Sequence, residues 1–300
     1  VEGCEARPDQ GNPLRVKCFI TAFPVLYPMQ VEFFHDVLCA WCYCLSPRVR
    51  HIVEKYPGVE VVHRCFALAP TPDSIVEIFG SREAGKREIL SHWRAANVND
   101  DMHRINADLM AMRDFEYPYS MPGLLACKAA ELQGGQKAHW DMFDRVQRAH
   151  LTECRNIADW AVLLDCASEV GLNVDRFTLD VNNPSTARAV EADIKLAGEL
   201  GVYAVPTLII DRKWVVEGAL QRFTLEMVFE QLVETGSVLT PVHGVRRLRP
   251  AVPRSCRRRA TAVYARDGFR TVGRDRQCAD PGAWCKAFKT SRSENSLDMD

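Results

Sequence analysis

The 300-residue chain predicts an α/β fold in which one sheet draws its strands from both ends of a long helical run. Three observations predict it. Apolar, β-leaning segments at residues 31–36 and 59–66 flank a helical pattern at 39–55, and a β-α-β unit of this kind crosses over right-handed with its strands parallel. From about 73 to 200 the apolar spacing is almost wholly helical, following the 3.6-residue period. Strand character then returns at 205–211 and 213–217, separated by Arg212 alone, as in an antiparallel hairpin.

Residues 1–28 precede the first strand. Their segment 15–27 starts basic and is partly apolar, but Pro24 interrupts it and no small-residue cleavage site follows, so it makes a poor signal peptide. We expect an N-terminal extension without stable order. The first helix stops at Tyr56-Pro57-Gly58, and Pro47 inside it predicts a kink. Pro70 and Pro72 end the second strand.

Within the helical run, 120–132 stops at Gly134-Gly135, and 138–151 resumes with Trp140, Phe143 and Val146 on one side. Asn156 is expected to cap a helix over 157–170 that ends at Gly171, and Asn183-Pro184 to open another that Gly201 closes. A last helix covers 221–234. The order βαβ, helices, ββα describes a thioredoxin-like fold with a large all-helical insertion. The thioredoxin-like domain then comprises 29–72 and 201–238, and 73–200 is the inserted helical domain.

Charge divides the chain. Residues 241–300 carry fourteen Lys and Arg against six Asp and Glu, whereas 1–240 carry 24 against 33. The tail has few Leu and Ile and neither period, which predicts a basic, disordered segment. Its arginines lack interleaved aromatics, which argues against nucleic acid as a partner. No stretch approaches the roughly 18 apolar residues that span a membrane.

Twelve cysteines are scattered along the chain, too sparsely for a secreted disulfide scaffold of this length. Cys65, Cys127 and Cys166 fall in apolar patterns and read as core residues. Cys39 and Cys42 differ, because a C-x-x-C between a strand and a helix is a redox signature. At the first turn of a helix, unpaired N–H groups and the dipole favour a thiolate on Cys39, and the thiolate is the nucleophile. Cys42, less than a turn away, can close onto Cys39 and release a mixed disulfide. Zinc needs about four ligands, and no second C-x-x-C is present, so no metal is expected.

Other candidates are weighed against plainer roles. Asp36 can take or relay the proton of Cys42, or simply cap a turn. Trp41 either presents an aromatic face to substrate or packs into an interface. Cys44 lies about 200° around the helix from Cys42 and should face away as a spectator thiol. His150 and Cys154, four apart, read as ordinary helix-surface chemistry.

Cys39-Ala40-Trp41-Cys42 after Phe33-Phe34-His35-Asp36, with Arg64-Cys65-Phe66-Ala67-Leu68-Ala69-Pro70 and Ala204-Val205-Pro206-Thr207-Leu208-Ile209-Ile210, resembles the DsbA family of thiol–disulfide oxidoreductases, nearest its FrnE-like branch. The likeness spans about 29–238. It implies that Cys39 attacks, Cys42 resolves, and Pro206 is a cis proline that faces them and, with Val205, positions substrate. It also implies a cytoplasmic, isomerase-type disulfide oxidoreductase without a cofactor beyond its own Cys39–Cys42 disulfide, acting on protein or small-molecule thiols with a thiol reductant or oxidant as partner. Glutathione is an admissible cosubstrate. The Ala-Trp dipeptide lacks the histidine of DsbA, which predicts a poise less oxidising than about −120 mV. Two alternatives stay open. One is an enzyme like the kappa-class glutathione transferases and 2-hydroxychromene-2-carboxylate isomerases, which carry serine in place of the first cysteine. The other is a non-catalytic binding protein on the same scaffold.

Overall fold

The computed structural model describes residues 28–249 and two short strands at 261–263 and 270–272. Its sheet has the order β2-β1-β3-β4-β5, from β1 (Met29–His35), β2 (Val59–Cys65), β3 (Thr207–Ile210), β4 (Trp214–Glu217) and β5 (Val245–Arg247). The first two run parallel, with Phe33 opposite His63 and His35 opposite Cys65. The others join antiparallel. Val31, Phe33 and Phe34 of β1 are fully buried. Neighbouring positions buried alike fit a strand covered on both faces, and Glu32 between them is buried as the ion-pair partner of Arg64 and Arg212.

Helix α1 (Ala40–Lys55) follows β1 and runs through Pro47. That proline has no N–H for the Tyr43 carbonyl one turn back. Arg104 replaces the missing donor: its Nη2 reaches Tyr43 O at 2.9 Å, and its guanidinium carbon lies 3.9 Å from the Tyr43 ring centroid. Buried Arg48 donates to the Asp101 carboxylate and to the carbonyls of Ala219 and Leu220. It thereby ties α1 both to the helical run and to the loop after β4.

Seven helices stand between β2 and β3: α2 (Ser74–Phe79), α3 (Arg82–Asn99), α4 (Ala107–Ala111), α5 (Ser120–Leu151), α6 (Trp160–Glu169), α7 (Val174–Val181) and α8 (Pro184–Leu200). The Gly134-Gly135 break falls inside α5, where both residues leave helical geometry and Gly135 adopts φ 64°. Helix α8 has the expected limits, Asn183 capping it and Gly201 ending it at φ 73°. The expected cap of α6 is corrected. Asp159 accepts the Ala161 N–H there, while Asn156 is spent on Ala158 N–H two residues along, a local turn that competes with helix.

Three residues, Asp211, Arg212 and Lys213, join β3 to β4 rather than Arg212 alone; Asp211 and Arg212 turn the chain at φ 49° and 52°, and Lys213 N–H closes the turn on Ile210 O at 2.9 Å. Helix α9 (Arg222–Thr235) follows. The expectation of a structureless tail from 241 fails at its start. β5 pairs with β4, Arg246 Nη2 meets Glu217 Oε1 at 2.6 Å, and Arg247 lies 4.6 Å over the Trp214 ring. Three residues are too few to show a period, so the pattern gave no warning. Strands β6 (Thr261–Val263) and β7 (Arg270–Val272) pair antiparallel. The rest of the tail and the extension 1–27 lie outside the described residues. No described helix is long and apolar enough to cross a membrane.

Candidate active site

Cys39 caps α1 with extended backbone angles, φ −80° and ψ 107°. Its Sγ accepts the Cys42 N–H at 3.3 Å, one of the donors that a helix start leaves unpaired. The same sulfur donates to Val205 O at 3.5 Å, and the Val205–Pro206 bond is cis. Two segments far apart in sequence thus meet at one sulfur. Cys39 is 3% exposed and Cys42 fully buried. Burial, then the hydrogen bond with Cys39, push the Cys42 thiol well above the ordinary range, so it is held protonated beneath its partner.

Asp36 does not cap the helix. It is fully buried, and its carboxylate accepts Leu38 N–H at 2.8 Å, Leu68 N–H at 2.5 Å and Ser120 Oγ–H at 2.6 Å. Burial raises its pKa to about 6 against these three bonds, and its charge in turn contributes to the rise at Cys42. Trp41 is half-buried and packs against two apolar clusters of the described residues. Cys44 faces away from the pair as expected, donating to Ala40 O and Ala96 O.

The His150/Cys154 reading is corrected. Neither residue lies on a helix surface: His150 is buried against the Tyr117 hydroxyl at 3.0 Å, and burial lowers its pKa to about 3. Cys154 lies beyond the end of α5 at φ 54°.

Sequence reasoning missed Gln147 of α5. Its Nε2 donates to Cys39 O at 2.9 Å and to Asp36 O at 3.2 Å, bracing the active-site turn from the helical run. A buried glutamine among Phe143, Val146 and Leu151 was the signal available, since a polar side chain on an apolar face needs partners. It also passed over His35, His63 and His139, whose ring nitrogens gather in the core.

Residues 30–230 match the DSBA-like thioredoxin domain. The chain belongs to that family. Among curated proteins, this DsbA-like chain is 29% identical over 190 residues to the ClpXP adapter protein SpxH of Shouchella clausii, covering 63% of this chain and 59% of that one. It is 28% identical to SpxH of Bacillus subtilis, covering 60% and 58%. It therefore spans less than two thirds of these relatives' lengths. Among solved structures, the cytosolic disulfide reductase DsbM of Pseudomonas aeruginosa with GSH superposes with TM-score 0.51 at 22% identity, covering 67% of this chain and 99% of that one. A 2-hydroxychromene-2-carboxylate isomerase superposes at 0.52 and 14% identity, covering 71% and 100%. At such identities the DsbA-like chain shares their fold alone.

Proposed function

We propose that the protein is a thiol–disulfide oxidoreductase working through Cys39 and Cys42. The observation that carries this is the Cys39 sulfur at the α1 N-cap, 3.3 Å from Cys42 N and 3.5 Å from Val205 O beside the cis proline. In the reducing direction the Cys39 thiolate attacks a substrate disulfide, forming a mixed disulfide and expelling one substrate thiolate. Cys42 then loses its proton and attacks Cys39 Sγ. The second substrate thiolate leaves, and the Cys39–Cys42 disulfide holds the oxidising equivalents. A thiol reductant reverses it, and with an oxidant the cycle runs the other way.

Asp36, with a pKa near 6, is ionised at neutral pH yet basic enough to receive the Cys42 proton. Val205, Pro206 and Trp41 position an extended substrate, and the inserted helices at 73–200 set substrate choice. Substrates are protein or small-molecule disulfides. The DsbM structure with GSH supports glutathione as cosubstrate, and that protein's cytosolic description supports the same compartment here. Reduction of insulin or of glutathione disulfide should be lost in Cys39→Ser, and Cys42→Ser should accumulate a mixed disulfide. Equal turnover by wild type and Cys39→Ser would refute the assignment. That outcome would favour a second reading, a binding protein, which the adapter names of the SpxH relatives support.

A further inference from the structure

Three histidines outside the cysteine site converge from three elements. His35 ends β1, His63 lies in β2 and His139 in the second half of α5, and all are fully buried. One ring nitrogen from each lies within 4.8 Å of the others. His35 Nε2 and His63 Nδ1 stand 3.1 Å apart, close to the edge of about 3.3 Å between two nitrogens bound to one tetrahedral zinc at 2.0–2.1 Å.

The third ligand is oriented from behind. His139 Nδ1 pairs with Glu131 Oε2 at 2.8 Å, which places the proton on Nδ1 and leaves the Nε2 lone pair free. A carboxylate behind the imidazole is how protein metal sites fix a histidine's tautomer and direction. Glu131 is itself steadied by Lys128 at 2.9 Å, and Lys128 also meets Asp193 at 2.8 Å, so the nearby cation is already matched by carboxylates.

The cluster holds more polar nitrogens than partners. Of the nitrogens that would face the ion, His139 Nε2 is buried without a hydrogen bond, and an unmatched buried polar atom is a cost that folds rarely carry without a use. The surroundings offer little relief, since Phe33, Trp140 and Phe143 pack against these rings. Neutral imidazoles without thiolates suit zinc and its late first-row neighbours.

We propose that His35, His63 and His139 form a buried three-histidine site for one zinc-class divalent ion, a water completing its four ligands, with Glu131 as the orienting carboxylate. The ion would clamp β1 and β2 onto α5. Because His35 immediately precedes Asp36, it would also hold the strand end from which the Cys39 turn departs. The site is separate from disulfide exchange and does not depend on that reading.

The test uses the full chain with Cys39→Ser and Cys42→Ser, so that the exchange cysteines cannot serve as ligands, stripped by chelator and reloaded with Zn²⁺ or Co²⁺ alone. One equivalent per chain should remain after dialysis, and Zn²⁺ should raise Tm by mass action on the folded state. The Co²⁺ form should show the visible bands of a tetrahedral nitrogen site without thiolate charge transfer. His63→Gln should abolish uptake. Glu131→Gln, away from the ion itself, should keep the circular dichroism of the parent yet weaken binding roughly 10–100-fold. Failure of the folded parent to retain metal, equal retention by His63→Gln, or a thiolate charge-transfer spectrum would each overturn the proposal.

Discussion

Replacing Asp36 by asparagine turns the buried carboxyl into a neutral group of nearly the same shape. Burial raises this carboxyl from 3.8 to about 6, outweighing the bonds from Leu38, Leu68 and Ser120. Between those two values the folded chain keeps a proton that the unfolded chain releases. The share of stability contributed by Asp36 therefore falls as pH rises through that window and levels off above it, and the difference from Asp36→Asn isolates it from the buried histidines. A gap of about two units, at 1.36 kcal/mol each, amounts to roughly 3 kcal/mol. Protonated Asp36 and the carboxamide both offer an acceptor oxygen and a donor, so the two proteins should be close in stability near pH 4. By pH 7.5 Asp36→Asn should be the more stable by roughly 2 kcal/mol, most of that linkage. Urea unfolding of the reduced proteins across this range, with unchanged m-values, measures it. A stability difference that stays constant with pH would refute the reasoning, and one that shrinks as pH rises would reverse its sign. The same variant should slow release of the mixed disulfide at neutral pH, because the carboxylate proposed to receive the Cys42 proton is gone.

Three other substitutions follow from the packing. Arg104→Met leaves Tyr43 O facing Pro47 without its donor, and unfolding free energy should drop by about 1–3 kcal/mol in denaturant melts. In Gly123→Ala the new Cβ would stand 2.7 Å from Val37 Cγ2; this overpacking should cost about 1–3 kcal/mol and, by shifting the turn before Cys39, lower the rate of insulin reduction. Ending the chain at Thr240 removes β5 and the partly buried Val242, Val245 and Leu248 that pack on the core. The shortened protein should lose roughly 2–3 kcal/mol, and hydrogen exchange should quicken at the newly exposed edge of β4.

The fold was legible because its signals are short-range. Proline and glycine punctuated the chain at Asn183-Pro184, Gly201 and Gly134-Gly135, and the structure places boundaries at each. Where a boundary turned on a choice between neighbours, pattern failed: Asn156 and Asp159 are both capping residues, and only the competing local turn decides between them. Strand β5 failed for another reason. Its pairing is specified by Glu217 and Trp214 of β4, residues that the tail's own composition does not reveal.

The candidate site divides along the same line. Strand, C-x-x-C and helix start lie within one short stretch, so the sequence alone determined that Cys39 would sit at a helix N-terminus, where unpaired N–H groups favour a thiolate. It also determined which hairpin would carry Pro206. The tertiary structure decided that Val205 O meets Cys39, that Gln147 braces the turn, that Asp36 is buried with three donors, and that His35, His63 and His139 share one pocket of the core. Local preference acts through backbone geometry over a few residues. These contacts instead depend on how the inserted helices dock on the sheet, and that docking is settled only when the core packs.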